Sequence, residues 1–265
     1  VALDDGDVGA GTALRGRALG LPLAPSDRVE VLVQEARSAV DRGDLAEANR
    51  LLDDVSAVGA IGSRRLEQLV TVARAYVTLK SAGGSPPRSD MEDVRSAAAV
   101  LEALGDAAGV AMAMDVYAFA LFFAGETEDA GSAWRAAAEW ATTSGDRGEQ
   151  ARILPAVPAT FTYGWATTSE SIALCRELLD AHPDSPMLES RALGTMASLH
   201  AERGEVDLAM TLLERSRAIL NDLGVPWLRV EMAGLEHDIE MTLWNFDAAE
   251  QAAQLEYELS TEFGW

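Results

Sequence analysis

Apolar and polar positions along the chain repeat with a period of about 40 residues. Turn-forming residues that precede an amphipathic stretch recur at intervals of 39 to 41 residues; they are Gly43, Gly84, Gly125, Gly164, Gly204 and, in sixth place, Asn245. A second set of breaks lies between them at similar intervals; its members are Gly105, Gly145, Pro183 and Gly224. Residues of these types interrupt helices. Two interleaved sets with one period predict a helix–turn–helix unit repeated about six times.

The second helix of each unit repeats two side-chain positions. A large apolar residue stands at the first of them, as Val94, Trp134, Ile172 and Leu213. Three positions later a small residue follows, as Ala97, Ala137, Cys175 and Ser216. Residues three apart lie on one face of a helix, so the large residue fills the space between helices and the small one lets a neighbouring backbone approach. This pattern is typical of a solenoid, in which each hairpin buries its apolar face against adjacent hairpins.

The pattern predicts six hairpins along the chain. They run from Ser26 to about Val58, from about Ser63 through an interruption at 83–90, and over 106–144, 146–182, 184–223 and 226–265. Ser26 is the predicted N-cap of the first helix. Residues 1–25 are rich in glycine and are predicted to be a linker or a frayed N-terminal cap. Pro155 and Pro158 fall inside the first helix of the fourth hairpin, which we therefore expect to be kinked or split.

Several segments resemble tetratricopeptide repeats (TPRs) in their longer form of roughly 40 residues. The segments RGDLAEANRLL (42–52), AGETEDAGSAWRAAA (124–138) and RGEVDLAMTLLERSR (203–217) look like the turn and second helix of that repeat. The resemblance covers residues 26–265. It implies one all-α domain, a right-handed superhelix (α-solenoid) of about six TPR-like hairpins. It also implies a groove that binds a protein, a peptide or a small effector.

Shorter motifs resemble a narrower group of proteins. LGD (104–106), SGD (144–146) and ESIALCRELL (170–179) look like the helical C-terminal region of large actinobacterial regulators. In those proteins repeats follow an AAA-type ATPase module, and some also carry a class III nucleotide-cyclase domain or a DNA-binding domain. Lys80 is the only lysine against many arginines, which fits a GC-rich genome. The resemblance implies that ATPase or cyclase chemistry belongs to segments before Val1, because none of the corresponding motifs occurs in this chain.

Composition and charge limit the partners. Hydrophobic residues make up 48% of the 265 residues and charged residues 24%, which is typical of a globular protein. The 43 acidic and 21 basic residues give a net charge of −22, which repels phosphate backbones and anionic lipid. We therefore expect no nucleic-acid or membrane binding by this segment, and a basic partner in preference to an acidic one. No apolar run approaches a membrane span and no signal-peptide pattern is present, so a cytoplasmic location is expected.

Motifs of catalysis and metal binding do not occur in the sequence. The glycines before residue 21 do not form a phosphate-binding loop, and His182, His200 and His237 show no paired metal-ligand spacing. Asp53 and Asp54 lack a third carboxylate at the spacing of an aspartate-rich metal motif. Cys175, the only cysteine, lies in the small-residue column, where a buried and inert thiol is expected. The sequence thus predicts no catalytic, cofactor-binding or metal-binding residues.

Aromatic residues near the proline-interrupted helix form the candidate contact surface. Phe161, Tyr163 and Trp165 surround Gly164, and Trp140 is a candidate rim residue of the same groove. Aromatic side chains near irregular backbone often form binding surfaces, but these can equally fill the space left by a broken helix. Both interpretations remain open at this stage.

The sequence favours a non-catalytic interaction or effector-sensing scaffold, the regulatory helical-repeat region of a larger ATPase, cyclase-type or transcriptional regulator. A free-standing TPR adaptor that binds basic or apolar peptides is the alternative, and an all-α enzyme is a third. Self-association through terminal hairpins is a further possibility, since the C-terminal segment EFGW (262–265) is apolar and shows no polar cap.

Overall fold

The computed structural model describes residue 14 and residues 16–58, 62–81, 87–164, 166–223 and 226–263. Every regular element in these ranges is helical. The α-helices are α1 (Pro25–Asp41), α2 (Leu45–Ala57), α3 (Arg64–Ser81), α4 (Arg88–Ala103), α5 (Ala107–Phe123), α6 (Thr127–Ser144), α7 (Arg147–Ile153), α8 (Ala159–Thr162), α9 (Thr168–Ala181), α10 (Pro186–Glu202), α11 (Val206–Leu223), α12 (Pro226–Thr242) and α13 (Phe246–Phe263). The chain divides into two compact units, Val1–Ile153 and Leu154–Trp265. Among the described helices, none combines the length and the apolar character needed to cross a membrane.

The six predicted hairpins are confirmed. Their first helices begin within two residues of the predicted starts, and each first helix is followed by the expected second helix. The predicted interruption at 83–90 overlaps residues 82–86, which lie outside the described residues and include Gly84. Gly224 also lies outside the described residues. The helix after it begins at Arg88. The all-α prediction therefore holds throughout the described part of the chain.

Glycine–aspartate pairs define several of the breaks between helices. Gly43 and Gly105 have φ angles of 79° and 74°, in the left-handed region that ends a helix at little cost only for glycine. The aspartate that follows caps the next helix: Asp44 and Asp106 accept a hydrogen bond from the backbone N–H three residues later, at 2.9 and 3.0 Å. Each pair therefore ends one helix and starts the next, which gives the repeat its regular spacing.

The sixth turn differs from the prediction that Asn245 replaces the turn glycine. Trp244 takes the left-handed position, with a φ of 61°, where Gly204 has 73° in the preceding hairpin. Asn245 occupies the next position, directly before α13. The backbone hydrogen bonds close this turn in the same pattern as the glycine turn. The prediction was wrong because a tryptophan in this conformation costs about 1–2 kcal/mol relative to glycine, and sequence reasoning disfavours it.

The start of α1 also differs from the prediction. Pro25 holds the first helical position and Ala24 the N-cap, so Ser26 lies inside the helix and is not its cap. Proline suits this position because its missing N–H has no partner there in any helix. Of the predicted linker or frayed cap, residues 16–19 are helical and Leu19 packs against the core of the first unit.

The two prolines split the first helix of the fourth hairpin, as predicted. Helix α7 ends at Ile153, a 3₁₀ turn covers Leu154–Ala156, and α8 is only four residues long. Proline removes a backbone donor and clashes with the preceding turn, so a continuous helix cannot form here. The division between the two compact units lies at this interruption.

Both side-chain columns of the second helices are buried. The large residues Val94, Trp134, Ile172 and Leu213 are at most 4% exposed, and the small residues Ala97, Ala137, Cys175 and Ser216 are fully buried. The repeat inferred from these columns therefore describes the cores of both units.

Small residues bring helices of the second unit into close contact. Ser216 of α11 donates its hydroxyl to the carbonyl of Ser190 in α10 at 2.7 Å, and Ser190 donates to the carbonyl of Ser216 at 3.0 Å. On α10, a Cβ atom added at Gly194 would lie 2.8 Å from the Cδ2 atom of Leu235 in α12. A larger side chain at Gly194 would force the side chains of Leu235 and Met232 to shift, because both lie within 3.3 Å of the added atom.

Candidate functional site

Polar and aromatic residues form two rows along the first helices of the first three hairpins. The members of each row are 39 residues apart: Arg37, Tyr76 and Asp115 form one row, and Asp41, Lys80 and Phe119 the other. Helix α1 packs against α3, and α3 against α5. The contacts of Tyr76 with Asp41 and of Lys80 with Phe119 place both rows on one face of the first unit.

An ion pair joins the first hairpin to the fourth across this face. The guanidinium of Arg37 in α1 donates two hydrogen bonds to the Glu149 carboxylate in α7, at 2.8 and 3.3 Å. The two side chains are only 6% and 10% exposed. A bidentate arginine–carboxylate pair has a fixed geometry, so this contact fixes the distance between α1 and α7.

A second arginine extends the pair into a buried network. Arg152 of α7 donates to Glu149 at 3.0 Å and to Asp115 of α5 at 2.5 Å. Asp115 also accepts a hydrogen bond from the indole Nε1 of Trp134 at 3.1 Å. We call Arg37, Asp115, Glu149 and Arg152 the ion cluster. Its two carboxylates each have an arginine partner, which offsets the cost of removing their charges from water.

The two carboxylates of the ion cluster differ in acidity. Burial raises the pKa of Asp115, and the attraction of Arg152 offsets this only in part. Burial acts in the same direction on Glu149, but Arg152 and Arg37 together outweigh it and hold the pKa of that carboxyl well below its ordinary value. Glu149, held between two guanidinium groups, is therefore the carboxylate whose ionised form the fold favours.

A partly exposed rim lies beside the ion cluster. The Tyr76 hydroxyl donates to Asp41 at 2.7 Å, and burial followed by the Asp41 charge raises the pKa of that phenol. The Lys80 ammonium lies 4.4 Å from the ring centre of Phe119, within cation–π range. Asp41, Lys80 and Phe119 are all partly exposed. The face thus presents an anion, a cation and an aromatic ring to solvent, above the paired charges.

The nucleophilic and acidic side chains of the described residues that were considered as catalytic candidates are buried or paired. Each carboxylate of the ion cluster accepts from a guanidinium, and burial raises the pKa of the Cys175 thiol to about 12, so that thiol stays protonated at neutral pH. In the described ranges, no three His, Cys, Asp or Glu side chains come together where they could hold a metal ion. Within the ion cluster, the buried Nε of Arg37 has no hydrogen-bond partner among the described residues.

Acid is expected to destabilise the first unit through Glu149. Because the pKa of Glu149 is lowered on folding, the stability it contributes is present above its ordinary value of 4.5 and is lost as the pH falls below that value. Asp115, whose pKa is raised, has a dependence of the opposite sign. Urea unfolding is measured between pH 7 and pH 3.5, in steps of about 0.5 pH unit. The free energy of unfolding should fall more steeply with decreasing pH for wild type than for Glu149→Gln. Exposed Glu128→Gln is the control, and equal slopes in all three proteins would contradict the assignment.

The structure separates the predicted aromatic surface into different environments. Phe161 is buried, as the packing alternative proposed, whereas Tyr163 is 53% exposed and donates its hydroxyl to Asp238 at 3.0 Å. Trp140 is partly buried against the core of the first unit, and Trp165 lies outside the described residues. Of the described members of this set, Tyr163 is the most exposed side chain. A role for the four residues in binding stays a prediction.

Sequence reasoning missed the ion cluster, although two signals were present. Asp115 is the only charged residue in the otherwise apolar helix α5. Its separation of 39 residues from Tyr76, and that of Tyr76 from Arg37, is close to the period of the repeat, which is about 40 residues. A charged residue at a repeated position of an apolar helix indicates a buried partner on a neighbouring hairpin, because an unpaired buried charge is too costly.

Comparison with known proteins defines the fold. No family model and no curated protein sequence matches the chain. A kinesin light chain-like protein with nearly identical TPR-like repeats from Podosopora anserina has a similar structure, with a TM-score of 0.53 and 16% identity over 75% of this chain and 97% of that one. A Signal Transduction ATPase with Numerous Domains (STAND) protein with a tetratricopeptide repeat sensor from Pyrococcus horikoshii has a TM-score of 0.53 and 10% identity. That match covers 97% of this chain and 40% of the STAND protein. The chain therefore has the predicted fold, an all-α solenoid of TPR-like repeats.

Proposed function

We propose that the chain is a non-catalytic scaffold for protein interaction or effector sensing, and that it forms the regulatory helical-repeat region of a larger signalling ATPase, cyclase-type or transcriptional regulator. The observation that carries this proposal is the extent of the STAND match. Nearly the whole chain, 97% of it, aligns with 40% of the STAND protein, a signal-transduction ATPase with a tetratricopeptide repeat sensor. A helical-repeat segment of this length therefore occurs as one part of a signalling protein.

The site chemistry supports a contact role over a catalytic one. Asp115 and Glu149 are engaged by arginines, and Cys175 is buried with a raised pKa. Catalytic groups need access to a substrate, and these buried side chains lack it. The partly exposed Asp41, Lys80 and Phe119 instead offer ionic and aromatic contacts to a partner.

The ion cluster supplies a route by which binding would alter the first unit. The Arg37 and Glu149 side chains pair α1 with α7, so a partner that competes for either residue would loosen that connection. A ligand shifts a conformational equilibrium only by its difference in affinity for the two states. A partner that binds the rim while the Arg37–Glu149 pair is intact would stabilise the observed arrangement, and one that displaces the pair would favour another.

The size of the native polypeptide tests the proposal. An immunoblot of the source cells with an antibody raised against this segment should show a band several times larger than 28.2 kDa. A band near 28.2 kDa would contradict membership in a larger regulator and would leave the free-standing adaptor, which the net charge of −22 suits to basic peptides.

A further inference from the structure

Three apolar side chains are exposed together at the turn between α12 and α13. Trp244 is 79% exposed, Phe246 54% and Met241 44%. The rings of Trp244 and Phe246 meet edge to face, with their centres 5.9 Å apart. We call these three residues the Trp244 patch. A contiguous apolar patch on a soluble protein commonly marks a contact surface.

The backbone of Trp244 strengthens this interpretation. It is the one residue other than glycine with a positive φ among the described residues, and Gly204 holds the equivalent position one hairpin earlier. Glycine relieves the strain at this position, while a side chain that is 79% exposed gains little packing within the chain in return. A strained and exposed tryptophan therefore suggests that the ring has a use outside the described fold.

An acidic face continues from the Trp244 patch along α13. A shallow open concavity on this helix is lined by Asp247, Glu250, Gln251, Gln254, Leu255 and Glu258. Phe246 and Glu250 are four residues apart and so lie on the same side of the helix. The three carboxylates extend over about 16 Å of helix, counted at 1.5 Å per residue. Apolar rings at one end and carboxylates along the rest form one continuous surface.

We propose that the Trp244 patch and the acidic face of α13 bind a basic protein segment that carries an apolar anchor next to arginines. The proposal rests on the proposed function, since it assigns a partner class to the scaffold. Arginine fits this surface because its planar guanidinium stacks on aromatic rings and pairs with carboxylates in a bidentate manner. A second copy of the chain fits poorly, because a symmetric contact through this face would bring its carboxylates against the same carboxylates.

Fluorescence anisotropy with defined peptides tests the proposal on the 265-residue chain. The probe is a short fluorescein-labelled peptide in which leucines precede a run of arginines, and its counterpart carries glutamates in place of the arginines. Wild type should bind the arginine peptide and not the glutamate peptide. Its affinity for the arginine peptide should fall as salt is added.

Trp244→Gly should weaken binding by about tenfold or more, as expected of an aromatic anchor, and leave the melting temperature unchanged or raised. Asp247→Asn with Glu250→Gln should weaken binding severalfold and reduce its salt dependence.

Matched controls keep each outcome decisive. Phe123→Ala removes an exposed aromatic ring beside a turn of the first unit, and Asp53→Asn with Glu102→Gln removes two exposed carboxylates there; neither should change binding. Failure of wild type to bind the arginine peptide, equal binding of the glutamate peptide, or unchanged binding by Trp244→Gly would each overturn the proposal. Dimerisation in sedimentation that Trp244→Gly abolishes would also overturn it, in favour of a second copy. The immunoblot for the proposed function is independent of these results, so the two failures can be told apart.

Discussion

Replacing Glu149 by leucine is expected to lower the free energy of unfolding by about 3–5 kcal/mol. The substitution leaves Arg37 buried without its carboxylate and removes one of the two carboxylates that hold Arg152. A buried guanidinium without a partner loses its hydration and gains nothing in exchange, which is why breaking such a pair costs more than the pair itself contributes. Urea unfolding monitored by circular dichroism measures the loss.

A double variant distinguishes the cost of leaving one buried charge unpaired from the stability that the ion pair contributes. Arg37→Met combined with Glu149→Leu removes both charges and replaces them with apolar groups, while Arg152 keeps Asp115. Its expected loss is much smaller than that of Glu149→Leu alone, because no buried charge is left unpaired. Arg50→Met, which breaks the exposed pair with Glu47, should change stability little and serves as the control. Losses that simply add in the double variant would show that Arg37 and Glu149 are not coupled.

The fold was predictable from sequence because its main determinants are local and repeated. The glycine–aspartate turns act within a few residues, as Gly105 and Asp106 show by ending α4 and capping α5. The prolines at 155 and 158 exclude a continuous helix whatever their surroundings are. The columns that include Trp134 and Ala137 follow from the helical period alone. The turns and the columns recur along the chain, so one ambiguous turn did not alter the assignment.

The candidate site was less predictable because its contacts join residues far apart in sequence. Arg37 and Glu149 are 112 residues apart, and nothing near either residue indicates its partner. Most charged residues of a helical protein lie on solvated faces, so a sequence pattern alone does not show which ones are buried. Asp115 was the exception, since the rest of its helix carries no charge.

The position of Trp244 shows a different limit of sequence reasoning. Propensity favours Asn245 for a left-handed turn, because asparagine tolerates that conformation better than tryptophan does. The repeat nevertheless places Trp244 in the register of Gly204, and the backbone hydrogen bonds of the turn follow that register. The packing of the two helices thus sets the register of this turn and overrides the conformational preference of the residues in it. The resulting strain at Trp244 makes it the residue with the strongest claim to the proposed role in binding.

Replacing Trp134 by alanine is expected to cost about 3–5 kcal/mol of unfolding free energy. The indole is 1% exposed and packs against the rings of Phe119 and Phe122, with centre distances of 5.0 and 5.6 Å. Removing it leaves a large cavity in the column of large residues and deprives Asp115 of a hydrogen-bond donor. Denaturant unfolding followed by far-ultraviolet circular dichroism gives the loss, and Trp244→Gly, at an exposed position, is the control that should show none.

Trp134→Phe divides this loss into packing and hydrogen bonding. Phenylalanine retains much of the ring contact with Phe119 but donates nothing to Asp115, so we expect an intermediate loss of about 1–3 kcal/mol. Stability equal to wild type would mean that Arg152 alone satisfies Asp115 and that the indole acts only by filling space. A loss as large as that of alanine would mean that the hydrogen bond dominates, and the ion cluster would then depend on the second-helix column as well as on its own arginines. The intermediate value is expected because phenylalanine keeps much of the side-chain volume but loses the hydrogen-bond donor. It would show that the apolar repeat and the charged network stabilise the first unit together.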